Sequence, residues 1–305
     1  MKVVIAAILA PSMLIAEMVK LDIVVTDYEG RPVNGAKVER DTVKRPLLPW
    51  AKSEYDCAML ATDAEGKLCD RFDCFDGFAN CYISAEGYYP EEFLRINFGA
   101  DYDRESDKTI FSETEKRLEV KLRKINNQAT MVYHRIGKGN KDLPARHGRF
   151  GFDLKVGDWV APKGKGEVAD FYVVYDWVED EKTISSFGRI EFVDKGCGAY
   201  KKKKIPCEKF PVDYSANKNA EFVTSIPYHS YTDKANWKSD DLMPAGEDEF
   251  LVIRSRTSYD EEGNMVGAHY SHIQGPIGIG YYFALGKVFF NPRVNDTNLE
   301  YVQPK

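Results

Sequence analysis

Along much of this chain apolar and polar residues alternate with a period of two, the spacing of half-buried β-strands. From Lys20 to Arg40 (KLDIVVTDYEGRPVNGAKVER), Leu21, Ile23 and Val25 alternate with Asp22 and Thr26 before turn chemistry takes over. Gly30 supplies positive φ, Pro32 fixes the chain direction, and Asn34-Gly35 predicts a second tight turn into another short strand. After the Pro-rich stretch Arg45 to Trp50 come a strand around Cys57, the TDAEGK turn at Thr62 to Lys67, and the run GFANCYISAEGYYPEEFLRINF. RLEVKLRKI, Arg117 to Ile125, alternates again through Leu118, Val120 and Leu122.

Asn126-Asn127-Gln128 reads as a linker, and strand patterns resume beyond it. Phe171, Val173, Tyr175 and Trp177 form one face of FYVVYDWV, and Tyr172, Val174 and Asp176 the other, so both faces are largely apolar. EFLVIRSRTSY (Glu249 to Tyr259) and MVGAHYSHI (Met265 to Ile273) flank a YDEEGN turn and predict a hairpin. GYYFALGKVFFNP adds one or two strands closed by Asn291-Pro292. No segment longer than about ten residues keeps helical periodicity. The expected architecture is all-β with little helix: a prealbumin/Ig-like β-sandwich over residues 17–125, then a second β-rich domain over 126–305.

Composition adds scale and compartment. With 305 residues, 43% of them apolar, the chain can bury two cores, since domains typically run to about 100–200 residues. A formal net charge of −6 argues against a nucleic-acid surface. The first sixteen residues, MKVVIAAILAPSMLIA, carry Lys2 and then an apolar run, the pattern of a secretory signal cleaved near Ala16. That run is too short to span a bilayer, and no later stretch is apolar enough, so the mature chain is expected to lack a transmembrane segment and to be periplasmic or secreted. Six cysteines fit export. The turns between them predict Cys57–Cys69 and Cys74–Cys81, with Cys197–Cys207 bracketing CGAYKKKKIPC, although the first four cysteines also allow other pairings.

The run VVTDYEGRPVNGAKV, then TDAEGK, YISAEGYYP and a closing LEVKL, resembles the carboxypeptidase regulatory-like domain, a prealbumin-like β-sandwich common in exported bacterial proteins. The resemblance covers about Leu21 to Leu122; the cysteines and the insertion Thr42 to Ser53 depart from it. It implies an accessory module and transfers no catalytic residue. None of His134, His147, His229, His269 or His272 opens the His-x-x-Glu pair of a zinc carboxypeptidase. The second domain, with FDLKVGDWVAPKGKG and a terminal NPRVNDTNLEY, resembles β-domains paired with such sandwiches in exported bacterial proteins, and that resemblance implies no activity.

Candidate chemistry is sparse. Asp101, Asp103, Glu105 and Asp107 crowd like a calcium loop, but Ser106 stands where the central Gly belongs and Ser112 where the closing Glu belongs, so a solvated loop is the simpler reading. His269 and His272 lie three apart, on opposite faces if the segment is a strand, and read as ordinary surface or interface histidines. Lys201 to Lys204 form the one dense basic run, which could meet an anionic glycan or a membrane surface but reads more simply as a solvated hairpin tip. Trp159, Trp177, Trp237, Tyr228 and Tyr231 are candidates for an aromatic platform. No cofactor is implied. The expected function is non-catalytic binding of a glycan or envelope protein at the cell envelope or outside it. The alternative is a secreted hydrolase of glycans or peptides whose carboxylates lie in the second domain.

Overall fold

A computed structural model describes residues 18–44, 54–103, 108–137, 142–235, 238–242, 245–279 and 283–302. The expected signal segment lies outside them. The described residues are all-β, without α-helix. The chain forms two units, one of residues up to Ile125 together with Cys207–Phe210, the other of 126–206 and 211–305.

The first unit opens with β1 (Met18–Asp27), β2 (Lys37–Lys44), β3 (Glu54–Ala61), β4 (Lys67–Asp73) and β5 (Phe78–Ser84). It continues through β6 (Tyr88–Tyr89), β7 (Glu91–Asn97), β8 (Ala100–Asp103), β9 (Lys108–Phe111) and β10 (Glu115–Lys124). One sheet runs β4-β1-β10-β6 and another β3-β2-β5-β7, with β8 and β9 as a separate pair. The predicted alternation of β1 puts Val19, Leu21, Ile23 and Val25 in the core, with Val38, Ile83, Val120 and Leu122 from three other strands. The two turn motifs meet: Thr62 Oγ1 accepts from Ala36 N–H at 2.9 Å and donates to Val33 O at 2.7 Å. Gly66, at φ +71°, packs where any Cβ would strike Val25 O, so this turn requires glycine.

The structure shows none of the three expected disulfides: its six cysteines stand as free thiols. For Cys57–Cys69 the reason is topological. TDAEG carries the chain from β3 in one sheet to β4 in the other, so it does not close a hairpin, and both side chains are exposed while their neighbours Leu60 and Leu68 pack on the core. Cys74 and Cys81 are buried, with Cys74 Sγ donating to Phe78 O at 3.3 Å. Cys197 packs in the core of the second unit and Cys207 belongs to the first.

The second unit contains β11 (Val132–Ile136), β12 (His147–Asp153), β13 (Asp158–Trp159), β14 (Phe171–Glu179), β15 (Thr183–Glu191) and β16 (Gly198–Lys203). After these come β17 (Ser225–Asp233), β18 (Lys238–Leu242), β19 (Glu249–Tyr259) and β20 (Met265–Gln274). The last are β21 (Gly278–Ile279), β22 (Phe283–Ala284) and β23 (Gly286–Phe290). A six-stranded sheet, β13-β12-β14-β15-β17-β18, and a five-stranded sheet, β11-β23-β20-β19-β16, share one apolar core. Phe152, Phe171, Val173 and Ile190 come from the first sheet; Leu251, Ile253, Ile273 and Val288 come from the second. β19 and β20 pair as the predicted hairpin.

A bulge between Ser255 and Ser258 interrupts that hairpin and holds Arg256 at φ 51°. Its guanidinium reaches two buried carboxylates: Nε donates to Asp170 Oδ1 at 2.8 Å and Nη2 to Asp153 Oδ1 at 2.6 Å. Ser255 Oγ and the Leu154 N–H also bond Asp170, and Asp153 takes the N–H groups of Lys155, Val156, Glu167 and Val168. Burial opposes ionisation of Asp153, but those N–H bonds and the charge of Arg256 hold it below the usual aspartate range. This network is a structural fastener.

Candidate ligand-binding face

The outer face of the six-stranded sheet follows from strand parity. In β14 the odd positions Phe171, Val173 and Tyr175 are buried, so Tyr172, Val174, Asp176 and Val178 face away from the core. In β15 the core takes Ile190, leaving Ser185, Phe187, Arg189 and Glu191 on the other side. β17 buries Ile226 and Tyr228 and presents Pro227, His229 and Tyr231.

Register arranges these into rows across the sheet. His147, Asp176, Phe187 and His229 align in one row, and Arg149, Val174, Arg189 and Pro227 in the next. Tyr231 aligns with Ser185 in the row on the other side of Phe187. Neighbouring strands stand about 4.8 Å apart and same-face positions along one strand about 7 Å apart, so the three rows cover about 14 Å by 14 Å of the sheet. Phe187 is 48% exposed and Tyr231 42%, far more than aromatic rings in a core.

The polar members are held in place. Arg149 lies over the Tyr172 ring, 3.5 Å from its centroid, and its Nε donates to Glu191 Oε2 at 3.0 Å. Arg189 Nε donates to the other oxygen of the same carboxylate at 2.6 Å. The hydrogen bond from Arg149, joined by that from Arg189, holds Glu191 below the usual glutamate range. His147 Nδ1 contacts Asp176 Oδ1. Beneath the face, Tyr228 donates to Val174 O at 3.0 Å and stacks on Tyr175 at 6.4 Å. Gly188 lies between these two tyrosines in register, where a Cβ would collide with Val174 O and Tyr228 Oη. Burial pushes the Tyr175 hydroxyl up to about 12 and raises that of Tyr228 as well, so both remain neutral.

Of the five aromatics singled out in the sequence, only Tyr231 is found on this face. Trp159 and Tyr228 fill the core, Trp177 packs half-buried against it, and Trp237 lies outside the described residues. The largest rings bury the most apolar area, so in a β-sandwich they are drawn inward first. Sequence reasoning missed Phe187, Arg149, Arg189, Glu191 and His229. A signal for Phe187 existed: it shares the phase of Ser185, Arg189 and Glu191 and opposes that of Ile184 and Ile190.

The other candidates resolve separately. Asp101 is exposed at the β8–β9 pair, and residues 104–107, with Glu105 and Asp107, lie outside the described residues, as does the side chain of Asp103. His269 and His272 do face opposite sides of β20, yet His272 is fully buried, stacked 4.7 Å from the Phe289 ring, and is no surface residue. Lys201 and Lys202 stand on β16 instead of at a hairpin tip and pair with Glu249 and Asp213. No helix among the described residues is long and apolar enough to cross a membrane.

No family model matches the sequence, and no curated protein matches it. Among solved structures, wild-type catechol 1,2 dioxygenase from Acinetobacter radioresistens matches 36% of this chain and 52% of its own at 16% identity, with a TM-score of 0.25. The chain thus spans about half the length of that dioxygenase. A presumed carbohydrate binding protein from Bacteroides uniformis covers 92% of this chain and 99% of its own at 8% identity and a TM-score of 0.20. BcpA, the major pilin subunit of Bacillus cereus, covers 93% and 99% at 12% identity and a TM-score of 0.23. Likenesses at these TM-scores carry no argument about this chain.

Proposed function

We propose that this is a non-catalytic exported protein that binds glycans through the outer face of its six-stranded sheet, with the first unit serving as a carboxypeptidase regulatory-like accessory module. The observation that carries the reading is the exposure of Phe187 and Tyr231 beside ordered polar groups on one sheet face. A pyranose ring has an apolar C–H face and a rim of hydroxyls. An exposed aromatic ring covers the former while polar groups beside it, His229 among them, bond the latter. Export rests on the Met1 to Ala16 pattern.

The hydrolase alternative needs two carboxylates about 5–10 Å apart, one of them kept protonated. On this face Glu191 is shared by two arginines and held ionised. Asp153 and Asp170 are occupied by Arg256 and backbone N–H groups. Neither arrangement leaves an acid free to protonate a leaving group.

The test is microcalorimetry of the purified mature protein against a panel of soluble polysaccharides, with a reducing-end assay in parallel. Binding without product release, weakened at least about tenfold in Phe187→Ala, is expected. Release of reducing ends would overturn the non-catalytic reading, and absence of binding to every polysaccharide would overturn the glycan reading.

A further inference from the structure

We infer that the glycan is acidic, its carboxylate taken by the paired guanidinium groups of Arg149 and Arg189; this rests on the reading of the sheet face as a glycan site. Both side chains spend only their Nε–H on Glu191, and their side chains are 43% and 50% exposed. The Nη edges of both, four N–H donors each, bond no described protein acceptor, which leaves two forks side by side at the surface. Two guanidiniums on one carboxylate leave a net positive charge, in the geometry that accepts an oxyanion bidentately. Glu191 and the Tyr172 ring fix the two forks, so little side-chain freedom is lost on binding.

The placement matches a uronate. Arg189 stands two residues from Phe187 on the same strand, about 7 Å away. A ring resting on Phe187 therefore brings a carboxylate on itself or on the next sugar over the arginines. The Asp176 carboxylate on the same face is occupied by His147. The chain as a whole carries a net charge of −6, so the attraction must be local.

Polygalacturonate and its fully methyl-esterified form share one backbone and differ only at the carboxyl, an anionic carboxylate in one and a neutral methyl ester in the other. Calorimetry of the full mature chain with both is expected to show the acid form bound roughly tenfold or more tightly at low salt, with the gap narrowing as salt is raised. Arg149→Gln and Arg189→Gln should each bring the acid form to within about threefold of the ester, with circular dichroism and a cooperative unfolding transition showing that the variants are folded. Phe187→Ala should weaken both forms together. Equal affinity for the two forms, with both lost in Phe187→Ala, would overturn the charge inference and leave the glycan reading intact. Binding only to other, neutral polysaccharides would do the same. If no polysaccharide binds, or if the face instead supports a concentration-dependent dimer abolished by Phe187→Ala, both statements fall.

Discussion

The second unit has two outer sheet faces built on the same principles, and they differ in what lies over them. On the five-stranded sheet the outward row runs Val252, His272, Phe289 and Tyr133. Tyr301 covers it, with its ring 3.7 Å from that of Phe289 and 5.5 Å from that of His272. The segment carrying Tyr301 is tied down: Glu300 accepts the Asn126 N–H at 2.8 Å, and Leu299 N–H bonds Tyr214 O. On the six-stranded sheet the corresponding row, Asp176, Phe187 and His229, has no such cover among the described residues, and Phe187 stands 48% exposed where Phe289 is 1%. One phenylalanine stabilises the fold and the other is available to a ligand. The difference shows that an aromatic residue on an outward strand position acquires its role from the coil that does or does not return over it.

Breaking the covered face should have the largest effect. Phe289→Ala removes the ring between Tyr301 and His272 and is expected to cost about 3–5 kcal/mol in chemical denaturation, as other buried Phe truncations do. A loss under about 1 kcal/mol would show that the cover is not packed in solution.

An intermediate effect comes from pH. Burial pushes His272 down to about 3 from its ordinary 6.5. In the unfolded chain this ring takes a proton as pH falls through 6.5, whereas in the folded chain it stays neutral until about 3, so acid favours the unfolded state over that window. Stability should decline below pH 6.5 with a contribution from this residue of up to about 1.4 kcal/mol per pH unit, and be unaffected by it above. His272→Phe keeps a stacking ring and should flatten the acid limb; an unchanged limb would mean that the ring is accessible to water.

The open face should respond least in stability. Phe187→Ala and Tyr231→Ala are expected to shift unfolding by no more than about 0.5 kcal/mol, because neither ring has a packed roof to lose. A larger loss would erase the contrast between the two faces.

The strands were legible because alternation is a local property of the sequence. The first-unit turns were legible for the same reason: Gly66 and Thr62 announce backbone constraints that few other residues meet. What could not be read was cover. FYVVYDWV and KVFF are both apolar on two sides, and only the return of residues 296–302 decides which outward face is sealed. The placement of the cysteines could not be read either, since a turn that changes sheets and a turn that closes a hairpin use the same residues. The arginines were invisible singly: Arg149 and Arg189 are forty positions apart and meet only on Glu191.

The Glu300 tie has a consequence for biosynthesis. Because one carboxylate joins the first residues of the second unit to a segment that follows the last described strand, both sheets can be complete while Phe289, Val252 and His272 still face water. A chain halted before that point would display this apolar strip to chaperones and proteases. Loss of the segment that carries Tyr301 would thus register as newly exposed aromatic surface even with both sheets intact.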